Sequence, residues 1–184
     1  SKLKVVVRAG AGYDNVDLAA ATEHGVCVQN TPGQNSNAVA ELVFGLAVMM
    51  CRNMYNGTSG SELKDKTLGI QAFGQVGRNV ARIARGFEMN VSALDPYCPD
   101  NVMEDAGVSP VHSVEELYRN NKVVSIHIPA TPETRKSIGY ELIMSMPKGG
   151  LLINTARKEV IDEEGLIKAL DERADIKYAA DVAP

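Results

Sequence analysis

Thr67-Leu68-Gly69-Ile70-Gln71-Ala72-Phe73-Gly74-Gln75-Val76-Gly77-Arg78 reads as a strand that runs into a glycine turn and then a helix. Each position of such a turn has a physical task. The first small residue makes the tight bend. Gly74 lets the backbone approach a pyrophosphate with no Cβ in the way, and Gly77 lets the helix pack close to the strand. A helix beginning near Gln75 would point its free N–H groups and positive dipole end at phosphates. Ala72 stands where the pattern G-x-G-x-x-G has its first glycine. Alanine can serve there if its φ stays negative, and that is the expectation.

A glycine turn alone is weak evidence; its surroundings strengthen it. The next strand, Val91-Ser92-Ala93-Leu94, ends at Asp95, about twenty residues on, where an acidic side chain accepts hydrogen bonds from ribose hydroxyls. A carboxylate there repels a 2′-phosphate, so NAD is expected rather than NADP.

Outward from this unit, strands and helices alternate. Strands are predicted at Val5–Arg8, Val26–Gln29, Leu68–Ala72, Asn90–Leu94, Val123–Ile128, Leu151–Asn154 and Tyr178–Val182. Helices are predicted at Val16–Glu23, Asn37–Met54, Gln75–Phe87, Ser113–Asn120, Tyr140–Met146 and Asp162–Glu172. Such alternation implies an α/β fold, a doubly wound parallel sheet of Rossmann type. The near-continuous apolar run Val123–Ile128 suits a sheet covered on both faces. Ser113-Val114-Glu115-Glu116 is a capping-box pattern, and Gly25 and Gly86 are expected helix stops. Asn56–Ser61 reads as a short linker.

The Asn37–Met54 helix carries one apolar stripe, Val39, Leu42, Val43, Leu46 and Met50. Phe44, Val48, Met49 and Cys51 occupy its other faces. A helix apolar all round must be covered on all sides, so an interface with a second copy, a homodimer or higher homo-oligomer, is expected.

Composition limits the function classes. The 184 residues are 45% hydrophobic and 23% charged, with net charge −4, an ordinary globular balance. No run of Lys or Arg suits a nucleic-acid backbone. The longest uncharged apolar run, Leu42–Cys51, is too short for a membrane span of ~20 residues. The chain opens on Ser1 and is at once strand-like, which reads as a start in mid-fold. Cys27, Cys51 and Cys98 are odd in number and lack metal-ligand spacing, so no metal is expected and a reducing, cytoplasmic setting is.

Four blocks together resemble the D-2-hydroxyacid dehydrogenases. They are Arg8–Asp17; Asn30–Ser36 with Ala40-Glu41-Leu42; the glycine turn through Asp95-Pro96; and Asn154-Thr155-Ala156-Arg157 with Asp162-Glu163 and Asp181-Val182 downstream. The resemblance implies two domains, with residues 1–30 the tail end of a substrate-binding domain and residues 31–184 the NAD-binding domain. It implies NAD as cofactor and a small, phosphorylated 2-hydroxy acid as substrate. Arg157 would be the catalytic arginine, its guanidinium fork matching a carboxylate and polarising a carbonyl. Gly74, Gln75, Val76 and Gly77 would face the pyrophosphate, Asp95 the ribose, and Ile128 and Pro129 the adenosine end. His127 would lie near the cofactor, Thr155 and Ala156 by the nicotinamide, and Asp181 at its carboxamide. Arg8 and Gly10 would meet the substrate anion.

The family's Glu–His acid/base pair would follow Pro184. Residues 1–184 alone are therefore expected to bind NAD with negligible hydride transfer. Rival readings are a dehydrogenase of an unphosphorylated 2-hydroxy acid and an NAD-sensing module on the same fold. Lys158 departs from the family, where glycine often follows the arginine.

Overall fold

The computed structural model describes residues 2–13 and 15–182. Its main body is a six-stranded sheet, every neighbouring pair parallel. In chain order the elements are β1 (Val5–Val7), α1 (Leu18–Glu23), β2 (Cys27–Gln29), α2 (Ser36–Cys51), β3 (Thr67–Gln71), α3 (Gln75–Gly86), β4 (Asn90–Leu94), α4 (Asp100–Asp105), β5 (Ser109–Pro110), α5 (Val114–Asn120), β6 (Val123–Ile126), α6 (Tyr140–Ser145), β7 (Leu151–Asn154), α7 (Glu163–Glu172) and β8 (Lys177–Ala180). The large sheet has the order β5-β4-β3-β6-β7-β8, while β1 and β2 pair in a small parallel sheet of their own.

Period-two alternation sorts the central strands between two cores. Val123, Leu151 and Ile153 join Leu68, Ile70 and Ala93 in one core, to which α2 and α3 contribute Val43, Phe44, Val80 and Ala84. Val124, Ile126 and Leu152 enter the other with Leu117 of α5, Ile143 of α6 and Leu166 of α7. Both faces of the sheet are covered, so its central strands are mainly apolar, and the buried polar residues they do carry lie toward their carboxyl ends.

Several boundaries differ from the sequence expectation. β1 ends at Val7, β6 at Ile126 and β8 at Ala180. The elements α4 and β5 were not expected: the helix has only six residues and the strand two, one of them a proline. Gly25 has φ +65° and ends α1 as expected. Gly86 is the last residue of α3 but not its left-handed stop; that residue is Glu88, at φ 54°, just past Phe87. Ser113 does cap α5, its hydroxyl accepting from the Glu116 amide at 3.1 Å.

Helix α2 runs Ser36–Cys51 rather than Asn37–Met54. Asn53, Met54 and Tyr55 all have positive φ (51°, 56° and 56°), a left-handed turn through which a right-handed helix cannot continue. Its buried stripe is Ser36, Ala40, Val43, Phe44 and Ala47, which shares only Val43 with the predicted one. Small alanines let α2 lie close to α3, and Phe44 stacks on Phe87 at 5.0 Å. Leu42, expected to be buried in this stripe, is 40% exposed. Among the described residues no helix is long and apolar enough to cross a membrane, and no group of three potential ligands could hold a metal ion.

Ala72 also departs from expectation. Its φ is +81°, so the first position of the turn keeps a conformation suited to glycine. Gly77 is required for a different reason: a Cβ there would stand 2.3 Å from the Ala72 carbonyl oxygen and 3.1 Å from Ile70 Cγ2.

These two positions predict opposite effects. Ala72→Gly should stabilise the fold by ~0.5–1 kcal/mol, because the left-handed penalty of ~1–2 kcal/mol exceeds glycine's added chain entropy. Gly77→Ala should destabilise by ~1–3 kcal/mol through overpacking of helix on strand. Denaturant midpoints check both, and a midpoint for Ala72→Gly below wild type would contradict the strain.

Candidate functional site

The strand order reverses between β3 and β6, since β4 and β5 extend to one side of β3 and β6 to β8 to the other. Open parallel sheets part at such a point and leave a crevice at the carboxyl ends of the strands. Here a cavity of about 730 Å³ opens over β3, β4 and β6. Its size lies within the ~300–1,000 Å³ of small-molecule sites.

The floor of the cavity is the glycine turn. Gly74 is the N-cap of α3, and no side chain caps the helix there. A Cβ on Gly74 would meet nothing within 4 Å, so the turn is open on its exposed side. The first-turn amides of α3 and the helix dipole together form an anion-binding end. Gln75, Val76 and Gly77 share this wall.

Asp95 stands at the end of β4 beside the turn. Its Oδ2 accepts from the Phe73 amide at 2.8 Å and its Oδ1 from the Tyr97 amide at 2.9 Å. The carboxylate therefore also anchors the turn, a task its position in the sequence did not disclose. Each oxygen keeps a further lone pair for a ligand hydroxyl. The Phe73 ring is buried beneath the turn, with the Arg78 guanidinium 5.4 Å from its centroid.

His127, Ile128 and Pro129 form the wall beyond β6. The His127 amide donates to the Gln71 carbonyl at 2.9 Å, and its Nε2 lies 2.9 Å from Ser125 Oγ. Burial lowers the His127 pKa to about 4, so the ring is neutral near pH 7. Gln71, itself buried, accepts at Oε1 from the Tyr118 hydroxyl at 2.9 Å, and burial pushes the Tyr118 pKa up. Neutral polar groups thus line the sheet beneath the cavity. Past Pro129 the chain is knitted by Thr134, whose hydroxyl accepts from the Thr131 amide at 2.8 Å and donates to the Pro129 carbonyl at 2.5 Å.

The cavity gathers eight of the sequence candidates: Gly74, Gln75, Val76, Gly77, Asp95, His127, Ile128 and Pro129. It does not gather Arg8, Gly10, Thr155, Ala156, Arg157 or Asp181. Arg8 folds onto its own loop, Nη1 donating to the Ala9 carbonyl at 2.9 Å. Gly10 fits beneath that guanidinium, since a Cβ would stand 2.6 Å from Arg8 Nη1. Arg157 is exposed just past β7, and Nη1 donates to the Ala156 carbonyl at 2.9 Å. Asp181 is exposed past β8. Thr155, one residue past the last ladder pair Ile126–Asn154, is buried, and its Oγ1 has no hydrogen-bond partner.

Gly33, Asn35 and Ser36 also line the cavity. Asn35 is the N-cap of α2 and its side chain makes no capping bond, so two helix N-termini face one space. The sequence signal was present, an Asn-Ser pair opening a long apolar helix, but nothing local aimed it at the glycine turn.

A dinucleotide fits this arrangement. The uncapped helix starts and the open face of Gly74 suit a pyrophosphate. Asp95 beside the turn and Glu133 in the loop past Pro129 put carboxylates in the cavity lining, which suits ribose hydroxyls and disfavours a 2′-phosphate.

Comparison with known proteins gives the same reading. Residues 42–184 match the family model described as D-isomer specific 2-hydroxyacid dehydrogenase, NAD binding domain. D-3-phosphoglycerate dehydrogenase of Methanocaldococcus jannaschii is 41% identical over 93% of this chain and 35% of its own length. Hydroxypyruvate reductase of Thermotoga maritima is 38% identical over 89% of this chain and 56% of its own. The solved structure of NAD+-bound 3-phosphoglycerate dehydrogenase from Entamoeba histolytica superposes with a TM-score of 0.90 at 48% identity, covering 100% of this chain and 58% of that one. The chain thus spans about a third of the length of the archaeal dehydrogenase and under two thirds of the solved one.

The buried imidazole predicts an acid sensitivity. Unfolded, His127 binds a proton below about pH 6.5; folded, it refuses one until about pH 4. Between these values the unfolded state holds more protons, so stability falls as pH falls. The thermal midpoint should drop from pH 6.5 to 4, and His127→Gln should flatten that part of the profile. An unchanged slope in the variant would remove His127 as its source.

Proposed function

Because the chain belongs to the D-isomer specific 2-hydroxyacid dehydrogenase family and carries its NAD-binding domain, we propose that it serves the NAD-dependent oxidation of 3-phosphoglycerate to 3-phosphohydroxypyruvate. The observation that carries this reading is the cleft itself. An open glycine turn at a helix N-terminus stands beside a carboxylate that holds the turn and still has lone pairs to offer.

Gly74, Gln75, Val76 and Gly77 would hold the pyrophosphate on backbone amides. Asp95 would accept from the adenosine ribose, and Ile128 and Pro129 would flank the adenosine. His127, Thr155, Ala156 and Asp181 would lie toward the nicotinamide end. When bound, NAD supplies the acceptor for the hydride that leaves C2 of the hydroxy acid. Arg157 would grip the substrate carboxylate and polarise the oxygen at C2, with Arg8 and Gly10 at the anionic end. The hydroxyl proton passes to a base that the family resemblance puts after Pro184. Neutral His127 adds no positive charge that would oppose an oxidised nicotinamide.

Residues 1–30 would be the end of a substrate-binding domain and residues 31–184 the cofactor domain. The separate β1–β2 sheet is in keeping with that division. The outer face of α2, with Leu42 exposed, would meet a second copy. Relatives that carry the names hydroxypyruvate reductase and glyoxylate reductase make unphosphorylated acids the competing substrates.

Two measurements test this reading. NADH titrated into the chain, followed by its fluorescence, should bind, and Asp95→Ala should weaken binding by about tenfold or more, since charge-assisted hydrogen bonds contribute ~1.5–3 kcal/mol. NADPH should bind wild type less well than NADH. Initial rates, on a polypeptide that includes the expected Glu–His segment, should favour 3-phosphoglycerate with NAD+. Turnover of glyoxylate with none of the phosphorylated substrate would reject the proposed substrate.

A further inference from the structure

The strand that leads to Arg157 ends in an asparagine whose side chain is 3% exposed. Asn154 closes β7, and its amide bonds two of the next three residues. Oδ1 accepts from the Ala156 amide at 3.0 Å, and Nδ2 donates to the Arg157 carbonyl at 2.9 Å. The same Nδ2 lies 3.4 Å from the Tyr178 hydroxyl on β8, the neighbouring strand. We propose that Asn154 is a positioning residue for Arg157, fixing the backbone from which the guanidinium is aimed. This rests on the proposed role of Arg157 as the group that grips substrate.

The physical case has three steps. First, the described ladder ends at Asn154, which pairs with Ile126 and Ala180, so residues 155–157 lie beyond the paired strand. The Asn154 side chain bonds the backbone past the ladder's end, standing in for main-chain groups as Asn does in a tight turn. Second, the bonds reach both sides of the arginine. Ala156 is held through its amide and Arg157 through its own carbonyl. Arg157 Nη1 donates to the Ala156 carbonyl at 2.9 Å, so the guanidinium is tied to the same short loop. Third, the arginine is a long lever. Productive geometry must hold to within roughly 0.5 Å and 10–20°, and a misplacement of ~1 Å can cost ~10²-fold in rate.

The chemistry selects asparagine over its isostere. Aspartate would still accept from the Ala156 amide but would lose both donors. A carboxylate oxygen would then face the Arg157 carbonyl oxygen across a buried site. The two changes, Asn154→Asp and Asn154→Ala, therefore separate the two bonds.

The test joins kinetics to amide exchange. On a polypeptide that includes the expected Glu–His segment, Asn154→Ala and Asn154→Asp should lower kcat/KM for the 2-oxo acid by about tenfold to a hundredfold. NADH affinity should stay within about threefold. The double variant Asn154→Ala with Arg157→Ala should be no slower than Arg157→Ala alone, because a residue that acts through the arginine has nothing left to position. Additive losses in the double variant would overturn the proposal. On the chain itself, hydrogen exchange at the Ala156 amide should quicken in Asn154→Ala and stay slow in Asn154→Asp, with the β7 amides unchanged. Equal protection of Ala156 in wild type and Asn154→Ala would overturn it as well. Absence of turnover in wild type with any 2-oxo acid would defeat the proposed function instead, and exchange would still decide whether Asn154 holds the loop.

Discussion

One hydrogen bond holds the cleft together: the Phe73 amide donating to Asp95 Oδ2 at 2.8 Å. It ties the carboxyl ends of β3 and β4 at the point where the two strands hand the chain to the glycine turn and to the residues beyond Leu94. The Ala72 amide adds a second tie to the Leu94 carbonyl at 2.9 Å. With the turn fixed, α3 must start at Gly74 and lean on β3 at Gly77, where no side chain can fit. The direction of the α3 dipole, and so the electrostatics of the cleft, follows from that packing.

Much of this was written locally in the chain. The alternation of β-branched runs with amphipathic stretches gives the parallel sheet, and the spacing from Gly74 to Asp95 gives the place of the cleft. Ser113 announces its helix by a hydroxyl three residues before Glu116. Other features depend on distant partners and had no local signature. Ala72 adopts a glycine's conformation because the tie to Leu94 and the approach of Gly77 fix it from outside. Glu88 does likewise at the end of α3, where Gly86 looked the better candidate. The expected end of α2 at Met54 overruns the observed one at Cys51 because Arg52 and Met54 are good helix formers, and only the dihedral angles of Asn53 and Met54 reveal the reversal. The Asn35–Ser36 wall was missed because its relation to the glycine turn exists only after folding.

The carboxyl edge of the sheet carries a row of uncharged polar side chains: Gln71 at the end of β3, Ser125 with His127 beside β6, and Asn154 at the end of β7. Each has a named partner, so each is rigid as well as polar. A buried polar layer that is fully bonded specifies geometry, whereas a half-satisfied one is a source of heterogeneity. Thr155 Oγ1 is the exception among these, a buried hydroxyl without a partner.

The left-handed turn at Asn53–Tyr55 has a consequence of another kind. Lys177 donates to the Met50 carbonyl at 2.8 Å and to Asn53 Oδ1 at 3.0 Å, so the end of α2 is clamped to the start of β8. Gly60 and Ser61 are seated on the same helix end, Ser61 through its amide to the Cys51 carbonyl. Asn56, Gly57 and Thr58 project between these two fastenings, exposed and remote from the cleft. Lengthening a closed loop costs chain entropy only logarithmically. The tip is therefore where this polypeptide can accept a graft, such as an epitope or a fluorophore tether, outside the lining of the cleft.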